Sequence, residues 1–176
     1  MIKLKKKIFL ILFILVIIYV YKNTEQNVFI PDSSIRLRVI PNSNSPRDIN
    51  IKEQVKSYLE KNIYSITKDT NTIEEARNII SNNISNIEDN ITEIFDNNEY
   101  PLTYKVNFGY NYFPKKIYKG ITYDEGYYES LVIEIGDASG DNWWCVLFPN
   151  FCLLDTKNNH EYKSFIKEVI SKYSKK

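Results

Sequence analysis

Between Ile51 and Ile94 the apolar residues recur at steps of three and four. From Tyr104 onward they alternate with polar ones. The first spacing lines one face of a helix and the second one face of a strand, and neither structure serves both. The chain therefore divides into a helical half and a strand half, which is the signature of an α+β domain with helices layered on a sheet.

One strand precedes the helices. Ile35-Arg36-Leu37-Arg38-Val39-Ile40 alternates apolar with basic and reads as half-buried, ended by Pro41. A helix then opens at Ser45-Pro46, with serine as N-cap, proline at the first helical position and Asp48 facing the positive end of the helix dipole. Its apolar face is Ile51, Val55, Leu59, Ile63 and Ile66. A second helix starts at Thr72, where Glu75 completes the capping-box spacing. Its stripe of Ile73, Ala76, Ile80, Ile84, Ile87, Ile91 and Ile94 predicts one continuous helix to about Asp96. Asn and Ser on the other face are weak helix formers, so packing must hold it. Strands follow at Tyr104–Tyr112, Leu131–Ile135 and Trp143–Phe148. The last is expected to return beside its predecessor through the Gly136–Asp141 turn, buried on both faces. The expected sheet is mostly antiparallel, with two or three helices packed on one face. Residues 162–172 read as a basic-ended amphipathic helix.

Lys3, Lys5, Lys6 and Lys7 precede an unbroken apolar run from Ile8 to Tyr21. A basic stretch before such a run is an export signal or a signal anchor. The run is shorter than the roughly 20 residues a bilayer core prefers. No small-residue cleavage site follows it, and Tyr19 and Tyr21 suit the membrane interface, so an uncleaved anchor is expected. The lysines stay cytoplasmic, which places everything after about Gln26 outside the membrane. The expected organisation is a signal peptide or anchor over residues 1–22, a linker over 23–34, a folded domain over 35–156 and a terminal amphipathic helix over 157–176.

A net charge of +1 gives no basic face for nucleic acid. No phosphate-cradling glycine motif is present, so no nucleotide cofactor is expected. Both tryptophans and both cysteines fall between Gly140 and Cys152. A cysteine nucleophile needs a histidine, and the sole one, His160, lies in a polar stretch beyond the strands. Cys145, Cys152 and His160 are three zinc ligands on paper, but without the short cysteine spacing of a zinc site. The carboxylates Asp124, Glu125, Asp137 and Asp141 sit in turns, where Asp serves turn geometry. No catalytic residue, metal or cofactor is expected. An even cysteine count in an exported domain favours a disulfide between Cys145 and Cys152, and free thiols are the alternative. The bridge requires the chain to turn back at Pro149, because the Cα atoms must come within about 7 Å. Trp143 and Trp144 point to opposite faces of a strand, leaving at most one to anchor a partner.

Two stretches carry a resemblance. Arg36-Leu37-Arg38-Val39-Ile40-Pro41-Asn42-Ser43-Asn44-Ser45-Pro46-Arg47-Asp48 looks like the R-L-x-V-I-A-N-S-D-S-P-x-D opening of the stage II sporulation protein R family. Phe113-Pro114-x-Lys116, Gly120, Gly126-Tyr127-Tyr128-Glu129-Ser130-Leu131 and Asn142-Trp143-Trp144-Cys145-Val146-Leu147-Phe148-Pro149 with Cys152 resemble the remainder, in order, so that Ile35 to Asp155 is covered. Pro41, Asn44 and Asn150-Phe151 depart from the pattern. None of these removes a group that chemistry requires, although Asn44 stands where an acid is usual. The resemblance implies an exported, non-enzymatic signal of sporulation. It would be made in the forespore, enter the space between forespore and mother cell, and stay tethered if the N-terminal segment is uncleaved. There it would activate a membrane-embedded aspartic protease that processes an inactive sigma-factor precursor (pro-sigma-E). The contact surface expected from the resemblance is Asn42, Ser43, Asn44, Ser45 and Asp48, with Phe113, Lys116 and one of Trp143 or Trp144. No small-molecule substrate is implied. The rival reading is a peptidoglycan-binding module whose aromatics grip the wall.

Overall fold

The computed structural model describes residues 6–7, 9–16, 34–118 and 121–149, with the side chains of 118, 121 and 122 outside that description. Strand β1 (Ile35–Ile40) leads into helices α1 (Pro46–Thr67), α2 (Ile73–Asn82) and α3 (Ile84–Asn97). Strands β2 (Tyr104–Phe113), β3 (Lys116–Tyr118), β4 (Ile121–Tyr123), β5 (Gly126–Ile135) and β6 (Trp143–Phe148) follow. Residues 6–7 and 9–16 are helical, the apolar side chains of Phe9 to Val16 are exposed, and the rest of the expected N-terminal anchor lies outside the described residues. Among the described residues no helix is long and apolar enough to cross a membrane.

The α+β class holds, but the sheet is mixed rather than mostly antiparallel. Its order is β2-β5-β1-β6, with β1 parallel to β5 and the other two pairings antiparallel. Strand β6 therefore does not return beside β5. It crosses to the far side of β1, setting Cys145 opposite Leu37 and Trp143 opposite Val39. A parallel pair needs a long crossover, and the helices and β2 between β1 and β5 supply one. Periodicity reports how a strand is buried but not which strand lies next to it. Strands β3 and β4 form a separate two-stranded hairpin.

All three helices cover one face. Ile35, Leu37, Val39, Leu131, Ile133 and Ile135 of the sheet close on Ile51, Val55, Leu59, Ile63, Ala76, Ile80, Ile87 and Ile91 in one core. Each large aliphatic residue here is essentially inaccessible, a burial worth about 1.5–3 kcal/mol per side chain. In α1 the N-cap forms as the sequence predicts, with Ser45 Oγ accepting from Asp48 N at 3.1 Å. Thr72 caps α2, and Glu75 reaches back one residue beyond the cap, to Asn71 N at 2.9 Å.

The continuous second helix expected from the isoleucine stripe is in fact two. It breaks at Asn83, whose Nδ2 donates to Ile79 O at 2.8 Å while its backbone N–H turns to Ile80 O. Asparagine competes with the helix for its own carbonyls. The stripe survives the break because Ile80 and Ile87 both remain fully buried.

Candidate partner-binding site

The stretch from Asn42 to Asp48 is wired into the fold. Asp48, only 6% exposed, accepts from Tyr100 Oη at 2.6 Å, Ser43 Oγ at 2.5 Å and Asn42 Nδ2 at 3.0 Å. Burial pushes its carboxyl up. The hydrogen bonds from Ser43, Tyr100, Asn42 and Ser45 outweigh that and hold it at about 2. Burial, together with the same carboxylate, raises the Tyr100 phenol well above its ordinary value.

The other side of this loop grips the β5–β6 turn. Asn42 Oδ1 accepts from Asp137 N at 3.0 Å, and Asn42 O accepts from Ser139 N at 3.1 Å. Pro41 O accepts from Gly140 N at 3.0 Å, and Asn44 Oδ1 from Asp141 N at 2.7 Å. The fit is tight enough to dictate two glycines. Gly136 has φ +55°, and a Cβ there would strike the Asn42 side chain. At Gly140 a Cβ would lie 2.5 Å from Ser43 O. Of the five loop residues expected at the partner surface, Asn44 and Ser45 are exposed, Asn42 and Ser43 half-buried and Asp48 buried.

On the sheet face away from the helices the residues are aromatic and cationic. Arg36 and Arg38 alternate with the core residues of β1, but this face is not simply open to water. Arg36 is 2% exposed, its guanidinium 3.2 Å from the Tyr128 ring centroid and 5.5 Å from that of Phe113. Arg38 lies 5.1 Å from Phe113 and donates to Tyr112 O at 3.3 Å. Phe113 meets Trp144 edge-on at 5.2 Å, and Lys116 Nζ sits 4.6 Å from the Trp144 ring centroid. A cation over a partly desolvated aromatic face gains about 0.5–2 kcal/mol. Burial lowers the Lys116 ammonium from its ordinary value, and Asp141 partly restores it.

Trp143 and Trp144 do point to opposite faces. Trp143 packs against the core beneath Lys56, 5.4 Å from its ring, and Trp144 joins the aromatic face. Both are half-buried. A cavity of about 80 Å³ opens here, lined by Lys116, Tyr123, Asn142, Trp143 and Trp144. Cys145 is disulfide-bonded. The only other cysteine of the chain, Cys152, lies outside the described residues, as does His160. Among the described residues no cluster of three His, Cys, Asp or Glu is placed to hold a metal ion.

The family model of stage II sporulation protein R matches residues 31–158. The chain belongs to the stage II sporulation protein R family. It is similar to the stage II sporulation protein R of Bacillus subtilis (strain 168), 37% identical over 142 residues, which are 81% of this chain and 63% of the relative. The chain thus spans less than two thirds of that relative's length. No solved structure matches it. The family places the chain in stage II of sporulation.

The family match encloses every candidate contact residue, and the structure gathers them around one feature. The turn from Gly136 to Asn142 holds the Asn42–Asp48 loop on one side. At its other end, Asn142 borders the cavity shared with Lys116 and Trp144. Phe113 is 1% exposed and supports Trp144 from beneath, so it supplies packing rather than contact area. Sequence reasoning missed Tyr123, Asn142 and the buried Arg36. The one signal for them was the density of tyrosines between Tyr104 and Tyr128, too many for a purely solvent-facing surface.

Proposed function

We propose that this protein is an exported signal of sporulation that acts by binding. It activates a membrane-embedded aspartic protease of the mother cell, whose cleavage of an inactive sigma-factor precursor, pro-sigma-E, follows. The observation that carries this reading is the family match across residues 31–158. The basic and apolar N-terminal sequence supports export from the forespore into the intermembrane space, with the segment kept as a tether.

The reading makes the protein a ligand and not an enzyme. Cys145, held in a disulfide, has no thiolate to offer as a nucleophile. A binding signal shifts a protease toward its active state only by as much as it binds that state more tightly. The contact surface is the patch where Lys116, Asn142 and Trp144 meet beside the exposed Asn44 and Ser45.

The test is co-expression of the full chain with the candidate protease and its sigma precursor in a host that lacks all three, scoring precursor cleavage. Cleavage should depend on the chain and fall when Lys116 and Trp144 are replaced by alanine. Cleavage that proceeds equally without the chain, or is untouched by both substitutions in an exported and folded protein, rejects the reading. Retention on purified peptidoglycan without any effect on cleavage would point to wall binding instead.

A further inference from the structure

Strands β2 and β5 outrun the rest of the sheet at one end. Pairing of β1 with β5 begins at Arg36 and Ser130, so Gly126–Glu129 and their partners Tyr110–Phe113 form a two-stranded ribbon past the start of β1. Tyr104, Val106 and Phe108 pack against the core, and the alternation of β2 continues their row into Tyr110 and Tyr112. On the ribbon this row leaves the core. Tyr110 is 74% exposed and Tyr127 72%, and the Tyr112 and Tyr127 rings meet edge-on at 5.6 Å. A contiguous exposed patch of this kind marks an interaction surface. The charges around it nearly cancel. Arg77 pairs with Glu129 and Lys115 with Asp124, while Glu125 lies beside Tyr112 Oη at 3.5 Å. A partner steered by charge finds little to hold here.

The entry point of the chain favours one occupant. Because β1 runs parallel to β5, the chain enters β1 at the ribbon end of the sheet. The apolar run Ile8 to Tyr21 is joined to β1 through residues 22–34, which reach about 45 Å at most. A tether fixed at one end of a domain keeps that end nearest the bilayer. We propose that the ribbon is a membrane-facing foot, with Tyr110, Tyr112 and Tyr127 seated among the lipid headgroups. The proposal rests on the tether reading of the N-terminal segment. Tyrosine suits the place, since its ring is apolar and its hydroxyl stays wet. Three such rings bind weakly alone, but the tether makes their docking intramolecular. Docking by the ribbon also turns the far end of β5, with the Gly136–Asn142 turn, away from that membrane.

The test is NMR of the isotope-labelled full chain in bicelles of phosphatidylcholine with a minor share of phosphatidylglycerol. A gadolinium-chelating headgroup lipid supplies the relaxation probe. The expected result is loss of most intensity at the amides of Tyr110–Tyr112 and Tyr127–Glu129, with those of Asn97–Glu99 and Asp137–Ser139 retained. Tyr110→Ser with Tyr127→Ser should lower the docked-to-free ratio about tenfold, the equivalent of roughly 1.4 kcal/mol. Tyr110→Trp with Tyr127→Trp should preserve docking, which a merely disrupted ribbon would not. Intensity lost evenly over the surface, lost most at another face, or unchanged by the serine pair overturns the proposal. So do ribbon signals that ignore the lipid and move only when the protease is added, which would make the patch a protein contact. Alkaline carbonate extraction separates the two readings. Release of the parent chain from membranes rejects the tether and the proposal with it, whereas retention without the ribbon gradient rejects the proposal alone.

Discussion

Replacing Asp48 with asparagine tests whether the Asn42–Asp48 loop is held by charge. The carboxylate is buried in the first turn of α1 and accepts from Tyr100, Ser43 and Asn42. Its folded pKa is about 2, against an ordinary 3.8. The folded value is depressed, so the stabilisation is fully present above the unfolded value and is lost as pH falls through the folded one. The gap between 3.8 and about 2 is worth about 2 kcal/mol at 1.36 kcal/mol per unit. Asparagine keeps the size but loses the charge, and turns an NH₂ group toward donors. At neutral pH Asp48→Asn should therefore cost about 2–4 kcal/mol. Urea unfolding of both proteins across the acid range gives the assay. The difference between them cancels the other carboxylates, which titrate alike in each. That difference should shrink by about 2 kcal/mol between about pH 5 and about pH 2. A difference that stays constant over this window, or an Asn variant as stable as the parent at neutral pH, refutes the argument.

Two further perturbations probe packing and pairing. Gly140→Ala places a methyl group 2.5 Å from Ser43 O and 2.7 Å from Pro41 Cγ, so it should cost about 1–3 kcal/mol in urea unfolding. Gly109→Ala, which meets only Asn107 Oδ1 at an ordinary 3.7 Å, should be near neutral in the same experiment. Arg77 clasps Glu129 through two hydrogen bonds of 2.5 and 2.9 Å, with Glu129 only 7% exposed. Arg77→Met leaves that carboxylate buried and alone, which should cost roughly 3 kcal/mol, discounted for the partial exposure of the arginine. The double variant Arg77→Met with Glu129→Met should recover much of the loss, and a double variant worse than the single one would contradict this account.

The layer architecture was legible because it rests on local signals. The Ser45-Pro46 start and the Ile51, Val55, Leu59 and Ile63 face appear in the structure where the sequence puts them. Non-local pairing was not legible. The parallel contact of β1 with β5 depends on which strand reaches the centre of the sheet, and no alternation pattern encodes that. The break at Asn83 left the apolar stripe intact, so the stripe hid it. Phe113, Lys116 and Trp144, grouped in the sequence by the resemblance to a family, are neighbours in the structure, but their surroundings differ. Lys116 and Trp144 line a cavity, while Phe113 is interior. Arg36 read as a solvent-facing residue because alternation marks it as opposite the core, yet Tyr128, Tyr123 and Phe113 enclose its guanidinium.

The loop and the cavity share the Gly136–Asn142 turn, and this decides how mutations in either must be interpreted. Asn42, Ser43 and Asp48 spend their polar atoms on each other, on Tyr100 and on the turn, leaving little to offer a partner. Loss of signalling on substituting them is then expected to follow loss of stability. It should scale with the unfolding free energy and be rescued by lower temperature. Lys116 lines the cavity and spends no side-chain hydrogen bond on the described fold, so under the proposed function its substitution should reduce signalling with little change in unfolding. Asn44 separates the two cases, because its side chain is exposed yet accepts from Asp141 N at 2.7 Å, next to the cavity wall. Asn44→Ala removes that acceptor and frees the turn end that positions Asn142. If signalling falls while the global unfolding midpoint holds, the turn transmits loop geometry to the cavity wall at Asn142. If both fall together, the loop acts only by keeping the domain folded.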